Sequence, residues 1–119
     1  MKKIKIEKTS IKENKVKYQG DENKTIDYKG LIEHALDIVP QGGFTPKDIR
    51  DRNRIQDALD KATPNLITLE DADYTALEKI MKESRWTIRD KELDKLLKNF
   101  EDGIYKKEEE TEEVKLPKK

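Results

Sequence analysis

Hydrophobic and polar positions alternate near the start of the chain and later take up a helical spacing. Ile4 and Ile6 are separated by one lysine, and Val16 and Tyr18 repeat the same arrangement. A period of two is typical of a β-strand with one buried face. We therefore predict that residues 1–24 form an extended arm, which can fold as a β-hairpin and which contacts a partner through these four apolar side chains.

After the arm, the apolar residues recur every three or four positions, which is the spacing of amphipathic helices. The second of these helices has the clearest start. Thr45 provides a hydroxyl N-cap, Pro46 stands at the first helical position and Asp48 places a carboxylate near the positive helix end. In this pattern Val39 of the first helix and Ile49 of the second are expected to face the core.

Two further helix starts and one connector complete the pattern. Asp71 and the acidic residues beside it open a third helix, and Thr87 with Asp90 three residues later resembles a capping box for a fourth. Leu66–Leu69 reads as a short apolar connector, and Gly103 follows the last helix. The sequence predicts a mainly α fold, a compact bundle of about four short helices.

The distribution of charge divides the chain into three parts. Residues 1–24 carry a net charge of +4, residues 25–105 a net charge of −4, and residues 106–119 five lysines and five glutamates. We interpret these parts as an extended basic arm, a helical domain and a charged tail. The tail has too little apolar surface to offset the entropy of ordering, so we expect it to be disordered.

The composition excludes several classes of protein. With 26 basic and 26 acidic residues among 119, the net charge of zero argues against a protein that binds nucleic acid with its whole surface. The absence of cysteine excludes disulfides and thiolate sites. No apolar run approaches the roughly 20 residues of a membrane span, and no signal peptide is recognisable. We expect a cytoplasmic protein without membrane contacts.

The polar positions form no recognisable catalytic or metal-binding pattern. The single histidine, His34, belongs to no nucleophile or metal motif. If Asp71 were the first position of a calcium loop, Ala76 and Lys82 would stand where a glycine and a bidentate glutamate are needed. The glycines at 42–43 lack the rest of a phosphate-binding motif. The sequence therefore predicts no catalytic residue, no metal, no cofactor and no enzymatic activity.

The second predicted helix carries the most distinct candidate binding surface. Arg50, Arg54 and Lys61 lie on one side of it and can form a basic stripe, which Arg85 and Arg89 extend if the helices pack suitably. Acidic residues on the same helix neutralise the stripe. Three interpretations stay open: intramolecular salt bridges, a protein-binding face and a helix-turn-helix that binds nucleic acid.

Trp86 is the only tryptophan and follows an arginine at the end of the third predicted helix. A large indole ring closes a small core in many proteins, but Trp beside Arg is also typical of interface hot spots. The candidate partner-binding residues are therefore Ile4, Ile6, Val16, Tyr18, Arg50, Arg54, Lys61, Arg85, Trp86 and Arg89.

One segment carries a resemblance to known proteins. The motif Leu-Glu-Asp-Ala-Asp-Tyr at residues 69–74, followed by Leu77, Arg85-Trp86 and Asp90, resembles small, mostly uncharacterised proteins encoded among phage and prophage structural genes. The resemblance covers residues 45–102. It implies a non-enzymatic accessory role in particle assembly, in the host cytoplasm or the virion, and it brings no catalytic residues.

These observations predict a non-enzymatic protein-interaction or assembly accessory protein. Its helical body and N-terminal arm would bind a protein partner or a second copy of the chain. The alternative is a small nucleic-acid-binding regulator that uses Arg50, Arg54, Lys61 and the basic arm. Binding to duplex DNA over a salt series distinguishes the two, because phosphate contacts weaken steeply with salt.

Overall fold

A computed structural model describes residues 1–106 of the chain, and it combines helices with two small antiparallel sheets. The mainly α prediction is therefore only partly correct, and the fold is mixed α/β. The elements in chain order are β1 (Lys2–Lys5), β2 (Lys8–Lys12), α1 (Glu13–Val16), β3 (Thr25–Asp27), α2 (Tyr28–Asp37), α3 (Pro46–Asp60), β4 (Leu66–Leu69), α4 (Asp71–Glu83) and α5 (Lys91–Glu101).

The predicted N-terminal hairpin is wrong, because its strands pair elsewhere. Strand β1 pairs antiparallel with β4, which puts Ile4 opposite Ile67, and β2 pairs antiparallel with β3. The segment expected to form the turn, residues 8–14, is β2 and the start of α1, and Val16 ends that helix. A period-two pattern shows which face is buried and leaves the partner strand undetermined, and a lone hairpin is marginally stable.

Residues 1–16 contribute to the same hydrophobic core as the helices. Ile4, Ile6, Ile11 and Val16 are all buried in that core. Of the apolar side chains predicted to contact a partner, Ile4, Ile6 and Val16 are therefore unavailable, and their alternation reflects packing within this chain. Tyr18 alone is exposed, with 94% of its surface accessible.

Helix α3 begins as the sequence predicts. The Oγ1 atom of Thr45 accepts a hydrogen bond from the Asp48 amide at 3.1 Å, and Asp48 accepts one from the Thr45 amide at 3.0 Å, with Pro46 at the first helical position. This reciprocal pair is a capping box in which aspartate replaces the usual glutamate. Local chemistry alone sets this boundary.

Helix α2 is shorter than predicted. Its N-cap is Asp27, which accepts a hydrogen bond from the Gly30 amide at 2.9 Å, and its last residue is Asp37. Val39 therefore lies beyond the helix and is exposed, contrary to its predicted core position. Pro40 accounts for the early end, since the residue before a proline disfavours helical backbone angles.

The region after α3 departs from the prediction at two points. The segment predicted as an apolar connector is strand β4, because β1 supplies a backbone partner for it. Helix α5 begins at Lys91 with Asp90 as its N-cap, which accepts from the Glu92 amide at 2.8 Å, so the capping box proposed for Thr87 is wrong. Gly103 has a φ of 67°, as expected at a helix end.

The core lies between the two sheets and helices α2 to α5. Tyr74 and Phe100 stack with their ring centroids 6.0 Å apart, and Tyr105 meets Phe100 edge-on at 5.2 Å. No helix within residues 1–106 is long and apolar enough to cross a membrane. The tail predicted for residues 106–119 lies, except for Lys106, outside the described residues.

Candidate protein-binding cleft

A cleft of about 670 Å³ opens between three parts of the molecule. The segment that joins α2 to α3 forms one wall, the first turns of α3 form the floor, and the outer face of α4 forms the opposite wall. Arg85, which follows α4, lies at one end. Ligand sites commonly have volumes of ~300–1,000 Å³, so the cleft is large enough for several side chains of a partner.

The local sequence explains why this space is open. After Pro40 the chain turns through Gly42 and Gly43, whose φ angles of 87° and 90° lie in the region that glycine adopts without strain. The chain thus leaves α2 without covering α4. On the facing wall, α4 presents the small side chains of Ala72 and Ala76. A turn on one side and small residues on the other leave the cleft between them.

Arg52 holds the loop wall to the rest of the protein. Its Nη1 atom donates to the carbonyl oxygens of Ala35 at 3.2 Å and Leu36 at 2.9 Å, and more weakly to that of Ile38 at 3.4 Å. The Ala35 carbonyl also accepts the Ile38 amide, and a cation beside the carbonyls of a last helical turn is stabilising. The guanidinium also lies 4.9 Å from the centroid of the Phe44 ring. Burial lowers the pKa of Arg52 from its ordinary value.

The acidic residues on the α3 side of the cleft are engaged by the protein itself. Asp51 pairs with Lys47 at 2.6 Å and also with Arg54, and these hydrogen bonds, that from Lys47 foremost, lower its pKa. Asp48 accepts the Thr45 amide, which lowers the pKa of its carboxyl. Both carboxylates are thus held charged by local contacts.

The cationic residues on the α4 side of the cleft, unlike Asp51, have no ion-pair partner in the described part of the chain. Lys79 and Arg85 line the cleft, are exposed, and make no ion pair within the described residues. Glu83 is the one acid of this wall, and it too has no ion-pair partner among residues 1–106. The cleft therefore combines acids that are engaged by protein groups on the α3 side with two unpaired cations and one unpaired acid on the α4 side.

Three exposed apolar side chains belong to the loop wall and the start of α3. Val39 is 62% exposed, Phe44 38% and Ile49 48%, and they make up half of the six large apolar residues exposed in the described chain. Scattered single residues of this kind are normal, but three within eleven positions beside a cleft are a local concentration. This concentration is the feature that sequence reasoning missed.

The sequence did hold a signal for it. Ile49 precedes the buried Ile55 by six residues, and at 100° per residue six steps place it roughly 120° away around the helix. Val39 precedes Pro40, which ends the helix before it. The position of Ile49 around its helix and the proline after Val39 therefore explain why neither side chain is buried in the core.

The structure does not assemble the predicted basic stripe into one free surface. Arg50 and Lys61 are exposed, but Arg54 pairs with Asp51 and with Asp73 at 3.1 Å, linking α3 to α4. Arg54 and Lys61 border a second depression of about 410 Å³.

The remaining candidate residues lie in separate places. Arg85 lines the first cleft, while Arg89 is exposed and lines neither the cleft nor the second depression. Trp86 packs against the core, with its ring centroid 5.8 Å from that of His34. Burial lowers the pKa of His34 from its ordinary value. Within residues 1–106 no group of three or more His, Asp or Glu side chains is placed to hold a metal ion.

Comparison with protein-family models, curated proteins and solved structures finds no match. The resemblance to phage and prophage proteins therefore stays a prediction, and the geometry of the cleft carries the functional argument.

Proposed function

We propose that this protein is a non-enzymatic interaction domain that binds a segment of a partner protein in the cleft between the α2–α3 connection and α4. The observation that carries the proposal is the concentration of exposed apolar side chains in residues 39–49, where Val39 lines the cleft and Phe44 and Ile49 lie close to it along the chain. Apolar side chains that remain in water and adjoin a cavity are typical of protein-binding sites, where aromatic and aliphatic groups supply the buried centre.

Hydrogen bonds hold the walls of the cleft in fixed positions, and this rigidity supports binding of a protein partner. Arg52 fixes the loop to α2 and the capping box fixes the start of α3, so the exposed side chains stand on a structured surface. A preorganised surface loses less conformational entropy on binding, which favours affinity. The setting we propose is an accessory role in particle assembly, in the host cytoplasm or the virion.

The nucleic-acid alternative has weaker support. Of its three proposed contacts, Arg54 is engaged by Asp51 and Asp73, and Asp57 stands between Arg54 and Lys61 along the helix. A helix face that carries both basic and acidic residues releases few counterions when it meets phosphates, and this release is what drives binding to nucleic acid. Absence of binding to duplex DNA at low salt would remove this alternative, whereas binding that Arg50→Glu and Lys61→Glu abolish would favour it over our proposal.

Selection from a random peptide display library tests the proposal without assuming the chemistry of the partner. The full chain serves as target, and the affinity of selected peptides is measured by fluorescence anisotropy. We expect Val39→Asp to weaken binding at least tenfold, because it places a charge on the apolar rim. Tyr18→Asp, at a more exposed position that does not line the cleft, should leave the affinity unchanged.

Two outcomes contradict the proposal. One is that no peptide is enriched over a blank surface, and the other is that Val39→Asp and Tyr18→Asp bind the selected peptides as the unmodified chain does. Sedimentation velocity over a range of concentrations addresses self-binding. Self-association that Val39→Asp abolishes would make a second copy of the chain the partner.

A further inference from the structure

We infer that the segment bound in the cleft is acidic, with one or more carboxylate side chains next to an apolar residue. This inference rests on the proposed function, since it names the chemistry of the partner at the same site. The cleft itself supplies the argument, from the charges of its two walls, the unused donors of Arg52 and the position of the apolar rim.

The first step is the imbalance between available cations and available acids. Four cationic side chains line the cleft, against three acidic ones, and the acids Asp48 and Asp51 are already engaged by Thr45 and Lys47. On the opposite wall, Lys79 and Arg85 have no ion pair within residues 1–106. A bound carboxylate would therefore meet two unpaired cations, whereas a bound cation would find one unpaired acid, Glu83, and would compete with Lys47 and Arg54 for Asp51.

The second step concerns Arg52, which lies between the walls. Only its Nη1 atom donates to protein oxygens, and its Nε atom is buried with no acceptor in the described residues. Buried guanidinium donors are normally satisfied, and a carboxylate is their strongest partner because it accepts two parallel hydrogen bonds. Because Arg52 lines the cleft together with Lys79 and Arg85, its positive charge adds to the attraction for a bound carboxylate.

The third step explains why the acid must adjoin an apolar residue. Ile38, Val39, Pro40 and Ile80 line the same cleft as the cations, and Val39 is largely exposed. A segment with carboxylates alone would leave this rim in water, and an apolar segment alone would bury cations without partners, which costs free energy. Only a segment with both groups satisfies both parts of the surface.

The test uses the peptides selected on the full chain, together with two charge-reversal pairs that change the net charge equally. The cleft pair is Lys79→Glu with Arg85→Glu. The control pair is Lys91→Glu with Lys98→Glu, at exposed positions on α5 that line neither the cleft nor the second depression. Circular dichroism and thermal unfolding establish that both double variants fold.

We expect the selected peptides to be enriched in Asp and Glu beside an apolar residue. The cleft pair should lower their affinity at least tenfold, and the control pair less than twofold. Raising the salt concentration should also weaken binding, since part of the attraction is between exposed charges. Replacing the acids of the best peptide by Asn or Gln should reproduce the loss.

The inference is overturned if peptides that depend on Val39 are selected without acidic enrichment and bind the cleft pair normally. In that case the proposed function stands and the acidic partner does not. If binding does not depend on Val39 either, the proposed function falls as well, so the two failures are distinguishable. Self-association lost in the cleft pair would replace the external segment by a second copy of the chain.

Discussion

The first sixteen residues and the segment of residues 38–49 resemble each other in sequence and differ in what their apolar side chains do. Both contain a few apolar residues within a mostly polar stretch. In the first region Ile4 and Ile6 are buried, because β1 finds a partner in β4. In the second, Val39 and Ile49 remain exposed, because no element of the described chain covers them. The comparison teaches that an isolated apolar residue contributes to folding or to binding according to what lies opposite.

The largest expected effect tests the first half of this comparison. Ile4→Ala should lower the free energy of unfolding by about 3 kcal/mol, because it removes a fully buried side chain from the pair with Ile67 and leaves a cavity. Val39→Ala is the matched control and should change stability by less than ~0.5 kcal/mol. Chemical denaturation measures both. If the two substitutions cost the same, residues 1–16 are not part of the core.

Substitution of Arg52 tests whether its hydrogen bonds hold the exposed segment of residues 38–44 in place. Arg52→Met keeps the aliphatic packing but removes the donors to the carbonyls of Ala35 and Leu36, at an expected cost of about 2 kcal/mol. Hydrogen exchange should rise most in residues 38–44. Uniform loss of protection across the chain would contradict this local role.

Substitution of Thr9 and of Thr45 compares how much a buried hydroxyl and an exposed hydroxyl contribute to stability. Thr9 is buried, donates to the Ile26 carbonyl and accepts from the Ile11 amide at 3.2 Å, whereas Thr45 caps α3 at the surface. We expect Thr9→Val to cost about 1.5 kcal/mol and Thr45→Val about 1 kcal/mol. Thermal unfolding of the two variants gives the order, and a larger effect at Thr45 would reverse the comparison.

The smallest effect is a pH dependence confined to the start of α3. The pKa of Asp48 in the folded protein lies below its ordinary value of 3.8, chiefly because the Thr45 amide donates to it. Its contribution to stability is therefore complete above that value and is lost as the pH falls through the folded pKa.

An NMR titration should show the Thr45 amide responding in that window, while the amides of the pair between Ile4 and Ile67, which do not titrate, remain constant. Asp48→Asn is the control and should remove the response at Thr45. Persistence of the response in that variant would assign it to another carboxyl group.

Local chemistry explains which boundaries were predictable. The start of α3 depends on Thr45, Pro46 and Asp48, which lie within four positions of one another, so their contacts could be predicted from spacing alone. The same holds for Gly103 after α5. The end of α2 was misplaced because the apolar spacing continues to Val39, although Pro40 already stops the helix.

The cleft was less predictable than the helices. Its floor lies at a helix start that the sequence identifies, and Arg85 was among the candidate residues. Its walls bring together residues 38–52 and residues 72–85, and no spacing along the chain reveals that Lys47 and Lys79 line the same cleft. The available cations become apparent only once Asp48 and Asp51 are seen to be engaged.

The sequence by itself determined that α2 to α5 are helices, the capping box of α3 and the alternation that marks β1, because these depend on residues a few positions apart. Only the tertiary structure decided that β1 pairs with β4, that Leu66–Leu69 is a strand and that Val39 stays exposed. The physical reason is that strand pairing and burial require a surface supplied by distant residues. For the same reason the acidic partner proposed for the cleft follows from the two facing walls and from neither wall alone.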